Sequence, residues 1–442
     1  MNQRPLVRQF NNISSSKVPD MTSPALWSAQ AHMPSVIGRQ IKIVSADGAY
    51  LTTDTGARLL DGTASLWYAN IGHSREEMAQ VAYDQMKRLE AYHVFGRYTN
   101  DRAIELSEKL QSIAPIDDAK VILNSGGSDS IDVALKLARR YWNHVGRPDK
   151  KVIVSREHSY HGLHAYGTSI AGLDFNREGY GTDSLVDGTE RIEKHDARAF
   201  AAAIERIGAD NIAAYIAEPV MGTGGVHPPQ PGYFEEIQRL CREFDILFIA
   251  DEVITGFGRT GEMFASTRYQ LQPDIITFAK GVTSGYAALG GILVAPRVWQ
   301  PFFENGTRSP TYRHGTTYSG HPVTAALALK NLEILEREDL VARSAALEKV
   351  LAAELKALES HDYVKTTRVG GFLGGIELSD EVNAESVTDK MIEHGFITRP
   401  LRGNTVQISP PFILTEQELR NLVGAVGTVL DMFKANSTQV TA

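Results

Sequence analysis

Two patterns of apolar and polar positions alternate along the middle of the chain. Short stretches that are apolar almost throughout occur at residues 120–124, 151–155, 211–219, 245–252, 275–279 and 290–295. Stretches in which apolar residues recur at helical spacing occur at residues 76–90, 128–142 and 233–244. Apolar strands separated by amphipathic helices are typical of a mostly parallel sheet that is covered on both faces. We therefore predict an α/β domain.

The pattern changes towards the C-terminus. A long helical run covers residues 324–360, and short apolar stretches and a final helix from Thr415 follow it. Near the N-terminus, residues 41–60 have the pattern of a hairpin-rich segment. A long helix followed by fewer, mixed strands indicates a smaller α+β domain, which we expect the N-terminal segment to join. The predicted division is residues 1–75 and 326–442 for the small domain and residues 76–325 for the large domain.

Composition narrows the class of protein. The chain has 442 residues, of which 43% are hydrophobic and 22% charged, so it is long enough for more than one hydrophobic core. Its formal net charge is -8 and its lysines and arginines do not cluster, so we expect no nucleic-acid partner. No stretch approaches the roughly 20 apolar residues that cross a bilayer, and residues 1–21 lack the apolar run of a signal peptide. With Cys241 as its single cysteine, we expect a cytoplasmic protein without a membrane partner.

Candidate chemistry appears where predicted strands end. Asp251 ends the stretch "ILFIAD", and Lys280 follows "IITFA". Ligands of parallel α/β sheets bind beyond the carboxyl ends of the strands, where several loops converge. Taken alone, Asp251 could cap the following turn, and Lys280 could be a solvated surface charge. Taken together, they indicate an acid and an amine that face one crevice.

Two further features of this kind follow other strands. The stretch "NSGGSDS" places Gly126, Gly127 and Ser128 between a strand and a helix, where backbone N–H groups and a hydroxyl can bind an anion. A helix N-cap with a tight turn is the alternative. Tyr160 follows the strand "KVIVS", where its ring could stack on a ligand or simply pack. An anion site, an acid, a lysine and an aromatic ring together match the needs of pyridoxal phosphate.

At these residues the sequence resembles the class III (omega) aminotransferases of pyridoxal phosphate fold type I. The resemblance runs from about residue 34 to residue 436. The matching stretches are "LLDGTASLWYANIGH", "YHVFGR", "NSGGSDSIDVALKLAR", "SYHG", "AEPVMGTGGVHPPQPGY", "IADEVITGFGRTG", "PDIITFAKGVTSGY", "HGTTYSGHPV" and "RPLRGNTVQISPPFILT". Their order and spacing together make a chance match implausible.

The resemblance implies a role for each matching residue at the cofactor. Lys280 would bind the cofactor covalently and move a proton, and Asp251 would pair with the ring nitrogen. Val253 and Tyr160 would lie on the two faces of the ring.

The phosphate would be held from two chains. The resemblance implies that Gly127 and Ser128 bind it from one subunit. Thr317 would complete the site from the second subunit of a homodimer with shared active sites. A single chain alone would then be inactive.

The substrate pocket of the amine:pyruvate subgroup resembles the stretches "SLWY", "YHVFGR" and "RPL". Trp67, Phe95 and Tyr160 would line the amine pocket, although Trp67 and Phe95 could instead be ordinary core residues. Relatives that act on ornithine or 4-aminobutyrate with 2-oxoglutarate usually carry a glutamate where this chain has Thr223.

An arginine would bind the carboxylate of the keto acid. The resemblance favours Arg399 for this role. The stretch "RPLRGNT" is one residue longer than the family pattern, so Arg402 is the alternative. A guanidinium forms a bidentate pair with a carboxylate in either case.

The implied activity is a two-stage, ping-pong aminotransferase reaction dependent on pyridoxal phosphate. It would move an amino group from a primary amine or omega-amino compound to a keto acid, for which we expect pyruvate. The alternatives are a 2-oxoglutarate-dependent omega-amino-acid aminotransferase or an aminomutase of the same family, and a binding protein that has lost the chemistry. The expected partners are the small-molecule donor and acceptor, and no metal site is predicted.

Overall fold

The computed structural model describes residues 25–181, 184–304 and 306–440. The N-terminal stretch 1–21, in which we predict no signal peptide, lies outside these residues. The α-helices are α1 (Met33–Val36), α2 (Ala64–Trp67), α3 (Glu76–Arg88), α4 (Asp101–Ile113), α5 (Gly127–His144), α6 (Ala165–Ile170), α7 (Ala197–Ile207), α8 (Tyr233–Glu243), α9 (Ala265–Arg268), α10 (Pro296–Phe303), α11 (Pro322–Arg337), α12 (Leu340–Leu358), α13 (Ala384–Glu393) and α14 (Glu416–Val440).

The strands alternate with these helices in the middle of the chain and cluster near its two ends. They are β1 (Ile43–Asp47), β2 (Tyr50–Thr53), β3 (Arg58–Asp61), β4 (Lys120–Asn124), β5 (Val152–Arg156), β6 (Thr189–Ile192), β7 (Ile212–Ala217), β8 (Leu247–Asp251), β9 (Ile275–Phe278), β10 (Gly290–Val294), β11 (Val364–Val369), β12 (Gly374–Leu378), β13 (Phe396–Ile397), β14 (Arg399–Leu401) and β15 (Thr405–Ile408).

A seven-stranded sheet in the order β4-β10-β9-β8-β7-β5-β6 forms the large part of the fold. Strands β9, β8, β7, β5 and β6 run parallel, and β10 is antiparallel to both of its neighbours. Leu247 and Ile249 of β8 share an apolar cluster with α5, whereas Phe248 shares one with α7 and α8. Because helices cover both faces, β7, β8 and β9 are buried along their whole length. The predicted α/β class is confirmed.

Two four-stranded sheets form the smaller part, in the orders β1-β2-β3-β13 and β11-β12-β15-β14. Strand β13 pairs in parallel with β3, with Phe396 opposite Leu60 and Ile397 opposite Asp61. The N-terminal and C-terminal segments therefore join in one sheet, as predicted for a small α+β domain. The division at residues 75 and 325 stays a prediction. The helical run predicted over 324–360 is two helices, because Asp339 adopts a left-handed φ of 50° between them.

Arg259 connects the two parts of the fold. Its side chain is fully buried and donates to the carbonyl oxygens of Phe372 and Pro410 at 3.2 and 2.8 Å and to Asn70 Oδ1 at 2.6 Å. Burial lowers the pKa of its guanidinium to about 9. The loop after β8 is therefore tied to both the N-terminal and the C-terminal segments.

In the part of the chain that the structure describes, no helix combines the length and the apolar character needed to cross a membrane.

Candidate active site

A cavity of about 410 Å³ lies beyond the carboxyl ends of β4, β8 and β9. This volume is in the range of roughly 300–1,000 Å³ that is typical of small-molecule sites. The cavity brings together six of the residues predicted from the sequence, namely Gly127, Ser128, Tyr160, Asp251, Val253 and Lys280.

Asp251 is held in one orientation on the wall of this cavity. It is the last residue of β8 and pairs in register with Thr277 of β9, whose hydroxyl donates to Asp251 Oδ1 at 2.9 Å. The backbone N–H of Val253 donates to the same oxygen at 3.1 Å, and His161 Nδ1 lies 2.6 Å from Oδ2. Only 4% of Asp251 is exposed, so these contacts replace the water that a carboxylate would otherwise bind.

The neighbouring acid, Glu252, has a different role. Its carboxylate is fully buried and accepts from the backbone N–H groups of Ala265 and Ser266 at 2.5 and 2.8 Å, and from the Thr255 hydroxyl at 3.2 Å. Burial raises the pKa of Glu252. This residue organises the loop that follows β8, whereas Asp251 faces the cavity.

Lys280 presents an amine to the same cavity. It lies two residues beyond the end of β9 and adopts a φ of 44°, a left-handed conformation that is uncommon for a residue with a side chain. Burial lowers the pKa of Lys280 to about 8, although the carboxylates of Asp251 and Glu218 oppose the decrease. A pKa near 8 leaves about a tenth of the amine neutral at pH 7, far more than for an ordinary lysine, and a nucleophile or a general base requires this form.

The first turn of α5 forms another part of the wall. A Cβ atom at Gly127 would lie 2.8 Å from Val253 Cγ1, so only glycine permits this approach. Gly162 has a φ of 82°, and a Cβ atom there would lie 2.5 Å from Ser128 Oγ. Backbone N–H groups at the start of an 18-residue helix thus face the cavity with little side-chain cover, an arrangement that favours an anion.

Trp67 and Arg399 lie next to the cavity. Trp67 is 3% exposed and packs with Val220, Ile254 and Leu401. The centre of its indole ring is 6.0 Å from Lys280 Nζ and 5.1 Å from the guanidinium carbon of Arg399. Trp67 is therefore as buried as a core residue, and its ring also lies close to the cavity.

Arg399 and Arg402 line a second cavity, of about 560 Å³, together with Thr223. Burial lowers the pKa of Arg399, which is partly covered, whereas Arg402 is exposed. No carboxylate forms an ion pair with either guanidinium among the residues that the structure describes.

Phe95 and Thr317 lie on the surface of the chain. Phe95 is 47% exposed, and the loop that carries it contacts Gly315 of the loop that carries Thr317. Thr317 is exposed and is outside the wall of the first cavity as the described residues form it.

Glu218 and Thr277 are site residues that our sequence analysis did not identify, and His161, which follows the strand "KVIVS" beside Tyr160, is one to which it assigned no role. Glu218 is buried, and its carboxylate accepts from the backbone N–H groups of Tyr160 at 3.0 Å and Gly222 at 2.9 Å. Burial raises the pKa of Glu218. It follows β7 directly, and a charged residue at the end of an apolar strand is a signal that could have identified it.

The chemistry of the wall fits pyridoxal phosphate. The start of α5 suits a phosphate, Asp251 suits a protonated ring nitrogen, and Lys280 suits an aldehyde. His161 Nε2 is buried and has no partner among the described residues, which leaves a polar atom at the cavity for a ligand to satisfy.

The profile of the class-III aminotransferase family matches residues 34–430. The putrescine–pyruvate aminotransferase of Pseudomonas aeruginosa is 35% identical over 427 residues, which cover 89% of this chain and 91% of that protein. The diaminobutyrate–2-oxoglutarate transaminase of Halomonas elongata is 36% identical over 429 residues, which cover 89% of this chain and 90% of that protein.

Solved structures are similar over the same range. A transaminase from the marine bacterium Virgibacillus superposes with a TM-score of 0.89 at 35% identity, covering 93% of this chain and 98% of that one. The omega transaminase from Pseudomonas jessenii in complex with PMP gives a TM-score of 0.89 at 32% identity, covering 93% and 96% of the two chains.

The lowered pKa of Lys280 can be measured directly. In the protein without a ligand, acylation of Lys280 by acetic anhydride should rise with pH with a midpoint at about 8, because burial favours the neutral amine. Asp251→Asn should lower the midpoint further, since it removes a carboxylate that stabilises the charged form. Peptide mass spectrometry over a pH series reads both values.

Lys365 serves as the internal control in the same samples. The hydrogen bond that Lys365 donates to Glu377 raises the pKa of Lys365, so its acylation should require a higher pH than that of an ordinary lysine. If Lys280 and Lys365 became acylated over the same pH range, burial in the cavity would not lower the pKa of Lys280.

Proposed function

This chain belongs to the class-III aminotransferases, and we propose that it moves an amino group from a primary amine or an omega-amino compound to pyruvate. The family is dependent on pyridoxal phosphate, so the chain is an enzyme that uses this cofactor. The observation that carries the proposal is the placement of Asp251 and Lys280 on adjoining strands, facing one cavity beside the start of a helix.

We assign the cofactor contacts to residues of the cavity wall. Gly127 and Ser128 would bind the phosphate, and Val253 and Tyr160 would hold the two faces of the ring. Asp251 would keep the ring nitrogen protonated, with His161 and Thr277 fixing its carboxylate. When bound, pyridoxal phosphate supplies an aldehyde that takes up the amino group and a ring that withdraws electrons.

Lys280 would act as the general base and acid. At a pKa of about 8 its amine is neutral often enough to remove a proton from the carbon that carries the amino group. The same Nζ atom would then deliver a proton to the cofactor side. With a keto acid as the second substrate the proton moves in the opposite direction, which gives a two-stage reaction.

Arg399 is our assignment for the carboxylate of the keto acid. Its guanidinium is partly buried, stacks on Trp67 and has no ion pair among the described residues, so it is available to a substrate. Thr223 lines the same cavity and offers no carboxylate that would compete. Pyruvate is the acceptor named in the putrescine–pyruvate relative, and a small acceptor suits this arrangement.

A 2-oxoglutarate-dependent reaction is the second candidate. Arg402 lines the same cavity as Arg399, so a second carboxylate could bind there. The diaminobutyrate–2-oxoglutarate relative names that acceptor.

We also propose that two copies of the chain pair and share their active sites. The loop that carries Phe95 packs beside the loop that carries Thr317, and Tyr98 and Tyr318 are exposed on the same loops. Exposed aromatic side chains on neighbouring loops are typical of a protein interface. In a pair, Thr317 of one copy would contribute to the phosphate site of the other.

Replacing Lys280 tests the proposed chemistry. Lys280→Ala should reduce amine transfer by about 10²- to 10⁴-fold or more, because it removes the base and the covalent attachment. Borohydride should fix the cofactor onto Lys280 of the yellow wild-type protein and onto no residue of the variant, as mass spectrometry would show. Lys194→Ala, which changes a partly buried lysine outside the cavity, is the matched control. Transfer that survives in Lys280→Ala would refute the mechanism.

Two arginine variants test the acceptor. Arg399→Ala should raise the KM for pyruvate by about 10- to 100-fold, the loss expected for charged hydrogen bonds, and Arg402→Ala should change it little. The two variants are also assayed with 2-oxoglutarate. If the chain uses this acceptor, Arg402→Ala should also raise the KM for 2-oxoglutarate. Equal KM values for wild type and both variants would remove the arginine assignment, and product formed without an added keto acid would indicate an aminomutase.

Light scattering tests the pairing. The protein should have a mass of about 97 kDa, twice the 48.5 kDa of one chain. Tyr318→Glu, which places a charge on the exposed loop, should lower both the mass and the activity. Full activity at the mass of a single chain would contradict the shared site.

A further inference from the structure

The segment α2, which carries Trp67, is an irregular loop rather than a regular helix, and its backbone is strained. Ala64, Ser65 and Trp67 have φ values of 46°, 58° and 62°, in the left-handed region that residues with side chains rarely adopt. Such conformations persist only where the surrounding structure holds them, and they cluster at functional sites.

Asp61 supplies the contacts that hold this loop. It is the last residue of β3, and its carboxylate is completely buried. Oδ1 lies 3.1 Å from both the backbone N–H and the hydroxyl of Thr63. Oδ2 accepts from the backbone N–H of Ser65 at 2.7 Å and from its hydroxyl at 3.3 Å, and His73 Nε2 lies 3.2 Å from the same oxygen. One carboxylate therefore fixes the backbone on both sides of Ala64.

The loop determines where the indole of Trp67 lies. The ring is 6.0 Å from Lys280 Nζ and 5.1 Å from the Arg399 guanidinium, so it lies close to both basic groups of the site. The backbone N–H of Gly62 donates to the carbonyl of Ile397 at 2.9 Å, which ties the loop to the segment that leads into Arg399. Leu401, on the strand of Arg399, packs in the same apolar cluster as Trp67.

We infer that Asp61 is a positioning residue that fixes Trp67, and through it the placement of Arg399 relative to Lys280, and so sets substrate selectivity. Asp61 is outside the wall of the active-site cavity as the described residues form it. It acts through the loop rather than by contact with substrate. This inference rests on the proposed function, since it concerns the substrate side of the same site.

Asp61→Asn tests the inference, because the amide has nearly the same shape but only one oxygen to accept hydrogen bonds. We expect the KM for pyruvate to rise about tenfold, as a misplaced binding group causes, with a smaller change in kcat. We also expect the variant to lose the near-ultraviolet circular dichroism band that Trp67→Phe removes from the wild type. The far-ultraviolet spectrum and the absorption of the bound cofactor should be unchanged.

A double-mutant cycle separates positioning from general stability. If Asp61 acts through Trp67, then Asp61→Asn should change the KM less than twofold in a Trp67→Ala background. The same tenfold rise in both backgrounds would overturn the inference. Asp274→Asn is the matched control, because Asp274 is also a largely buried carboxylate that accepts from a backbone N–H, that of Phe248, beside β9. It should leave the KM and the Trp67 band unchanged.

A milder variant covers the case in which Asp61→Asn does not fold. Thr63→Val removes a hydroxyl that lies 3.1 Å from the Asp61 carboxylate and 2.8 Å from the carbonyl oxygen of Ser65, and it keeps both backbone contacts of Asp61. It should therefore shift the KM and the Trp67 band in the same direction by a smaller amount. An unchanged band and KM in a folded Thr63→Val protein would contradict the inference. The dichroism readout needs no amine transfer, so a wild type that failed to transfer amines would refute the proposed function without deciding the role of Asp61.

Discussion

The in-register pairing of β8 with β9 is the constraint on which the site depends. Asp251 lies opposite Thr277, and the hydrogen bond between their side chains stabilises this register at the edge of the cavity. Lys280 follows three residues after Thr277, so the same pairing brings the amine to the acid. A slip of one residue would turn Asp251 to the other face of the sheet. Because apolar clusters cover both faces of the sheet, such a slip would bury the Asp251 carboxylate without its hydrogen-bond donors, which makes the register strongly specified.

The charged groups at this edge are mutually dependent. Burial alone would disfavour the charged forms of Lys280 and Glu218. Each carboxylate is therefore given hydrogen-bond donors: two backbone N–H groups for Glu218, and a hydroxyl, a backbone N–H and His161 for Asp251. The carboxylates in turn limit how far burial lowers the pKa of Lys280, which stays at about 8. The site thus holds its amine near the pKa that proton transfer at neutral pH requires.

The sequence predicts the part of the site that local patterns determine. Apolar stretches ending in a polar residue identified the positions of Asp251 and Lys280, because strand ends follow from local burial patterns. The antiparallel direction of β10 and the break between α11 and α12 could not be predicted, since strand direction depends on pairing partners and the break depends on the backbone of Asp339 alone. The contacts of His161 and Thr277 with Asp251 join segments far apart in the chain, so no local signal indicates them.

The residues of the proposed cofactor site and those of the proposed substrate site lie on different segments of the chain. The groups proposed to bind and activate the cofactor lie at the ends of strands of the seven-stranded sheet or in the first turn of α5, whereas Trp67 and Arg399 belong to segments that join the small sheets. The small part is joined to the large one by a shared apolar cluster, which includes Phe278 and Phe372, and by buried polar contacts such as those of Arg259 with Asn70 and Pro410. Backbone pairing sets the register of β8 and β9, so we expect the small part to be able to change the substrate side while the acid and the amine keep their places. For this reason, relatives with one fold can differ in their amine donor and keto-acid acceptor without a change in the positions of the acid and the amine.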